Sequence, residues 1–247
     1  MSDWLETEVI ENRPWCDALF SLRVRGPRPA FEAGQFVRIA LDIGGERVAR
    51  PFSFVNAPSD PISEFYGVAV PGGLLSPPLA ALRAGDKLLV SSLASGFLVL
   101  SEVPVATVLW LVSTGTGIAP FLSILQHGEV WVRYAKVVLV HAARRKQDLT
   151  YGSLIGELGR AHEGRFSYAR VLSREHAEGA ISGRIPAAIR DGRLEAAAGA
   201  SLGAAQAQVM LCGNPDMVTD TTAALLERGL RKHRRRAPGQ ITAERFW

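Results

Sequence analysis

Cysteine is almost absent from this chain of 247 residues. Its two cysteines, Cys16 and Cys212, stand far apart and show no C-x-x-C spacing, which excludes a disulfide framework and gives no basis for a zinc or iron-sulfur site. Any redox chemistry must be organic. Long apolar runs are missing too: the longest, Val103 to Val112, contains Pro104 and Thr107 and falls well short of the roughly 20 residues that span a bilayer. The opening "MSDWLETEVIENRPW" carries acids and no continuous apolar region, so no secretory leader is expected and the chain is assigned to the cytoplasm, with no membrane partner. No Walker lysine and no G-x-G-x-x-G fingerprint occur.

What remains is an ordinary soluble composition, 47% hydrophobic and 21% charged, with room for one large domain or two modest ones. The net charge is +4, and the basic excess gathers in Arg231, Lys232, His233, Arg234, Arg235 and Arg236. Such a field favours an acidic partner, although a charge run is also what a solvated face looks like.

The chain changes rhythm near its middle. From Trp4 to about Leu100 it is built of short alternating segments, such as Leu19 to Arg25, Gln35 to Leu41, Val48 to Asn56, Glu64 to Val70 and Lys87 to Ser92. Turn clusters such as "RGPRP", "APSDP" and "PGG" separate them, a pattern that predicts an antiparallel barrel or sandwich, interrupted by one short helix at "PPLAALRAG". After Pro104, buried-type strands at Val108 to Ser113, Lys136 to His141, Phe166 to Leu172 and Gln208 to Cys212 are each followed by a helix-length segment. That alternation predicts a doubly wound parallel sheet with ligands beyond the carboxyl ends of its strands. The boundary is placed within Gly96 to Pro104, and Ala196 to Ala207 reads as an alanine- and glycine-biased loop.

Candidate sites fall at the ends of these strands. The run "LWLVSTGTGIAP" suits a strand, a glycine turn and a helix start, which together can hold an anion, although Gly115-Thr116-Gly117 alone also fits a simple tight turn. The next strand ends "VLVHAARRKQD", with Arg144 and Arg145 where an NAD-selective fold offers an acid to the ribose 2′-hydroxyl. A guanidinium pairs instead with a 2′-phosphate. Ser173 and Arg174 in "VLSRE" and Arg184 in "SGR" are expected on the same rim, where the arginines together suggest a phosphomonoester pocket, although each alone also fits a surface arginine. At the last strand Cys212 leads into Gly213-Asn214-Pro215, and it is either a small core residue or a contact of a nicotinamide ring. In "RPFSFVN", Arg50 is suited to a diphosphate and Phe52 to a planar ring, or else this is a barrel strand with a core phenylalanine.

Together these residues resemble the ferredoxin/flavodoxin-NADP reductase family, and the resemblance runs through the whole chain. The family's R-x-Y-S motif appears as Arg50-Pro51-Phe52-Ser53, its "VPxGxLSPxLAxLxxGD" segment as Val70 to Asp86, its G-T-G-x-x-P turn as Gly115 to Pro120, and its "LCGNPxM" turn as Leu211 to Met217. The match is closest to the bacterial branch, whose chains end in an aromatic pair. It implies an FAD-binding antiparallel barrel over residues 1–100 and an NADP-binding α/β domain over 101–247, whose tail returns to the FAD.

The resemblance also implies roles. Arg50 would hold the FAD diphosphate, Phe52 would stack on the flavin beside Pro51, and Ser53 would bond near flavin N5. Tyr66, Gly67 and Val68, with Leu74, Leu75 and Ser76, would line the ring and diphosphate, while Thr116 would sit between flavin and nicotinamide. Arg144, Arg174 and Arg184, flanked by Ala143 and Ser173, would grip the 2′-phosphate. Asn214, Pro215 and Asp216 would contact the nicotinamide nucleotide, and Phe246 and Trp247 would pack on FAD. Ser53, Cys212 and Glu244 are the candidate residues of the reacting junction. Two departures stand out: Phe52 replaces the motif tyrosine, removing a hydroxyl, and the chain lacks the plant-type ending with a final tyrosine.

The implied activity is hydride transfer between NADPH and FAD and single-electron transfer to an acidic carrier, ferredoxin or flavodoxin, by a monomer. The alternatives are an NADPH reductase of free flavin, quinone or an oxygenase component, and, from another class, a basic nucleic-acid-binding module. No nucleic-acid recognition motif accompanies "RKHRRR", so no such partner is expected.

Overall fold

A computed structural model describes residues 3–246. Its first half holds β1 (Trp4–Pro14), β2 (Leu19–Arg25), β3 (Phe36–Ile43), β4 (Glu46–Ser53), β5 (Ser63–Val68) and β6 (Lys87–Ser91), with α1 (Ser76–Ala81) between the last two strands. The strands form one sheet in the order β4-β3-β6-β1-β2-β5. A bridge between Phe54, just past β4, and Phe65 on β5 brings the two edges together and curls the sheet into a barrel. Alternation fills it: Phe20, Leu22 and Val24 of β2, Val37 and Ile39 of β3, and Leu88 and Val90 of β6 share one core.

Strand β1 carries little hydrophobic signal, which is why patterning misses it. Only Thr7 and Val9 are buried among its glutamates, and the strand is held by pairing to β2 on one side and β6 on the other.

The second half holds β7 (Val108–Thr114), β8 (Lys136–Ala143), β9 (Phe166–Leu172), β10 (Ala180–Ser182), β11 (Ala207–Gly213) and β12 (Ile241–Arg245). Its helices are α2 (Ala119–Gln126), α3 (Glu129–Arg133), α4 (Gly152–Ala161), α5 (Ile185–Arg190), α6 (Arg193–Ala198) and α7 (Pro215–Glu227). The sheet is parallel throughout, in the order β10-β9-β8-β7-β11-β12. Neighbouring residues of β7 go to opposite faces: Leu109 and Leu111 join a core with α2 to α4, whereas Val108, Trp110 and Val112 join one with α5 to α7. That division is the physical content of double winding, and it explains why β7 reads as a continuous apolar run.

The core on the α2 to α4 side also takes in Val55 and Tyr66 from the first half and Leu98, Leu100 and Val103 from the connection between the sheets. Arg133 of α3 clamps that connection by donating to the carbonyls of Leu100, at 2.5 Å, and Val103, at 2.7 Å. The two halves therefore share buried apolar surface. The alanine-rich segment from Ala196 departs from its expectation as a loop, because Ala196 to Ala198 close α6 and the loop begins only at Gly199. No helix among the described residues is long and apolar enough to cross a membrane.

Candidate functional site

A cavity of about 910 Å³ opens where β4 and β5 meet the second half, a size suited to a cofactor. The carboxyl end of β4 supplies Arg50, Pro51, Phe52 and Ser53; β5 supplies Tyr66, Gly67 and Val68; the turn into α1 supplies Leu74, Leu75 and Ser76. Thr116 and the returning strand β12, through Glu244 and on to Phe246, complete the wall. These residues, expected from sequence motifs to act together, are brought together here. Trp247 lies outside the described residues.

Local features shape this wall for a flat ligand. A Cβ at Gly67 would stand 2.9 Å from both Phe20 Cζ and Phe52 Cε1, so glycine here gives the two rings room against β5. The Ser76 hydroxyl accepts from Val70 N at 3.0 Å and closes the loop that carries Leu74, which is 68% exposed at the cavity mouth. The hydroxyl of Ser53 is buried without a partner although its residue lines the cavity. An orphaned buried hydroxyl costs about 1–3 kcal/mol, which a ligand atom placed against it would recover. An orphan donor, a half-buried aromatic and a glycine cradle fit a flavin ring.

The turn that follows β7 forms the inner wall. Gly115–Ile118 makes a tight helical turn that runs directly into α2, with Thr116 only 5% exposed. A Cβ on Gly117 would lie 2.5 Å from the Cys212 carbonyl oxygen, so the close backbone approach signalled by the glycines is, at this position, made to the end of β11. Cys212 itself is fully buried and does not line the cavity; burial pushes its thiol well up, with the Glu244 carboxyl adding to the shift. Glu244 faces the cavity beside Gly96, and burial raises its carboxyl to about 7. His141, at the end of β8 under this turn, is held neutral because burial lowers its pKa to about 4.

The arginines expected at the phosphate rim lie outside this cavity, along the carboxyl edge of the parallel sheet. Ser173 N donates to the Ala143 carbonyl at 3.1 Å and Arg174 N to the Arg144 carbonyl at 3.0 Å, so the β8 and β9 ends run side by side and place Arg144 next to Arg174. Gly183 N bonds the Leu172 carbonyl at 2.8 Å and sets Arg184 at the adjoining strand end. All three guanidinium-bearing residues are exposed. The Asn214 side chain is spent on capping α7, accepting from Asp216 N at 2.9 Å and Met217 N at 3.3 Å. Pro215 and Asp216 form the first turn of that helix.

Sequence motifs miss part of the wall. Phe36, Ser95 to Phe97, Thr242, Ala243 and Arg245 also line the cavity. The pairing of Phe36 with Ser95 holds the first two together, and the sole sequence signal is the aromatic after glycine in "SGF". Among the described residues, no group of three or more His, Cys, Asp or Glu could hold a metal ion.

Comparison with known proteins agrees with this geometry. Residues 111–223 match the family described as "Oxidoreductase NAD-binding domain". The chain is 51% identical to the flavodoxin/ferredoxin-NADP reductase of Shigella flexneri and 50% identical to that of Escherichia coli, covering 100% of both chains in each case. Its fold superposes with a TM-score of 0.95 on a ferredoxin NADP+ reductase from Neisseria gonorrhoeae with bound FAD and NADP, at 31% identity and 100% coverage of both chains.

Proposed function

Because the chain belongs to the flavodoxin/ferredoxin-NADP reductase family, we propose that the cavity between barrel and parallel sheet seats FAD and that the rim at Arg144, Arg174 and Arg184 seats the 2′-phosphate of NADPH. The protein is an FAD-containing oxidoreductase that moves reducing equivalents between NADPH and a carrier protein. Residues 1–100 are assigned as the FAD-binding domain and 101–247 as the NADP-binding domain. Bound FAD would supply hydride acceptance and single-electron donation, chemistry the chain itself lacks.

The protein's own contribution is placement. Arg50 stands at the exposed mouth to meet a diphosphate, and the Phe52 ring presents a stacking surface that needs no hydroxyl. Ser53 holds a hydroxyl ready for the reacting edge of the ring, and the Thr116 turn separates that edge from the bulk of the second half. Glu244, the one carboxyl at the junction with a neutral-range pKa, can hold or release a proton there. We assign Cys212 to shaping the junction through its buried thiol and its carbonyl contact with Gly117.

The observation that carries this reading is the buried, partnerless Ser53 hydroxyl in a cavity that also gathers the other expected flavin contacts. We read the carrier as an acidic ferredoxin or flavodoxin, met by a monomer in the cytoplasm. Anaerobic reduction with NADPH followed by mixing with ferredoxin, flavodoxin, free flavin or a quinone tests it. Fast reoxidation by a carrier protein is expected. Preference for free flavin or quinone would make the protein a reductase of small acceptors instead.

A further inference from the structure

Strand β5 sends Phe65 into the barrel core and turns Glu64 and Tyr66 the other way, toward the segment that opens α4. There Thr150 Oγ1 donates to Tyr66 Oη over 2.8 Å, and Tyr151 Oη donates to Glu64 Oε1 over 2.7 Å. The pairs are sheltered: Tyr66 and Thr150 are 3% exposed and Tyr151 5%. The Tyr66 and Tyr151 rings meet edge-on at 5.2 Å, and Trp15 of the barrel packs on Tyr151 at 4.6 Å.

The backbone points the same way. Tyr151 has φ +59°, the one non-glycine residue with positive φ among those described. Such a conformation persists only where the surroundings over-determine it. The loop just before it is stiff, since Arg145 N donates to Asp148 Oδ2 at 3.0 Å and Asp148 N returns to the Arg145 carbonyl at 3.1 Å.

That loop runs from Arg144 on the phosphate rim to Thr150, while Tyr66 lines the flavin cavity. We propose that Thr150 and Tyr151 are positioning residues: through Tyr66 and Glu64 they latch the nucleotide-gripping loop to the flavin wall and so set where the nicotinamide lands. The inference rests on the site reading above. A dinucleotide held at its 2′-phosphate and reacting at its other end converts a small loop displacement into a displaced reacting atom. A misplacement of about 1 Å can cost on the order of a hundredfold in rate.

The test is Thr150→Val, which keeps the side-chain shape and removes the hydroxyl, with Tyr151→Phe as a second variant. FAD content and the Kd for adenosine 2′,5′-bisphosphate, which tests the rim alone, should match the parent protein. The charge-transfer absorbance of nicotinamide against flavin should shrink and hydride transfer should slow about tenfold or more, and Thr150→Ser should restore both. If the variants lose only thermal midpoint while band and rate stay at parental values, the contacts are structural and the latch is refuted. It is equally refuted if bisphosphate binding weakens in step with the rate. Should Thr150→Val fail to fold, Tyr151→Phe decides by the same readings. A parent protein with no such band would overturn the site reading and the latch with it, whereas a normal parental band beside unaffected variants overturns the latch alone.

Discussion

Arg235 grips Glu102 through two hydrogen bonds, of 3.0 and 2.6 Å, while its guanidinium lies 4.9 Å from the centre of the Phe97 ring at the cavity mouth. The basic run after α7 is thereby fastened to the connection between the two sheets, beside the flavin site. Glu102 offsets part of the Arg235 charge, so the steering proposed for an acidic carrier would rest on the other exposed cations of the run, among them Arg234 and Arg236. Replacing both with serine should slow carrier reduction at low salt, with the difference vanishing as salt screens the field. NADPH-ferricyanide activity should change little. A parallel fall in both activities would assign the run to the nucleotide instead.

Ser53→Ala separates the free protein from the loaded one. Without flavin the hydroxyl has no partner to lose, so the thermal midpoint of the apoprotein should stay level or rise. With flavin bound, the variant should lose the hydrogen bond proposed for Ser53 at the reacting edge, and hydride transfer should slow by about tenfold. An apoprotein destabilised as strongly as the holoprotein would show that the hydroxyl has a protein partner.

Arg144→Ala should raise the Michaelis constant for NADPH far more than that for NADH. A charge-assisted contact is worth about 1.5–3 kcal/mol, so discrimination should fall roughly ten- to a hundredfold. Steady-state kinetics with both nucleotides would show it; equal losses would place the phosphate pocket elsewhere.

Glu244 gives the apoprotein a recognisable pH dependence. Its folded pKa of about 7 lies above the ordinary 4.5 because burial penalises the ionised form. Its contribution to stability is therefore whole below about 4.5 and is lost as pH rises through about 7. His141 works in the opposite direction, its pKa lowered from 6.5 to about 4, so stability from its neutral form is lost as pH falls through that range. The difference between parent and Glu244→Gln isolates the carboxyl. Thermal midpoints of the two apoproteins should diverge with rising pH, the parent falling relative to the variant. Parallel curves would mean that Glu244 ionises freely in the folded chain.

Much of this architecture is legible in the sequence because it rests on local pattern. Strands β2, β7 and β9 begin where apolar periodicity places them, and the cavity wall gathers the motif residues at β4, β5 and α1. What is not legible depends on partners distant in sequence. Strand β12 offers only Ile241 and Ala243 as an apolar alternation, too short to mark a strand by itself, and it is held as one by docking beside β11. The burial that sets the Glu244 pKa, and the contact of Thr150 with Tyr66 across 84 positions, arise only when the two halves pack. The pairing of Arg235 with Glu102, 133 positions away, is likewise invisible in the basic run read by itself.

Denaturing the purified protein and chromatographing the released flavin tests the central claim most directly. The account predicts FAD, noncovalently bound, at one molecule per chain. Recovery of FMN, or of no flavin from a well-folded preparation, would contradict it.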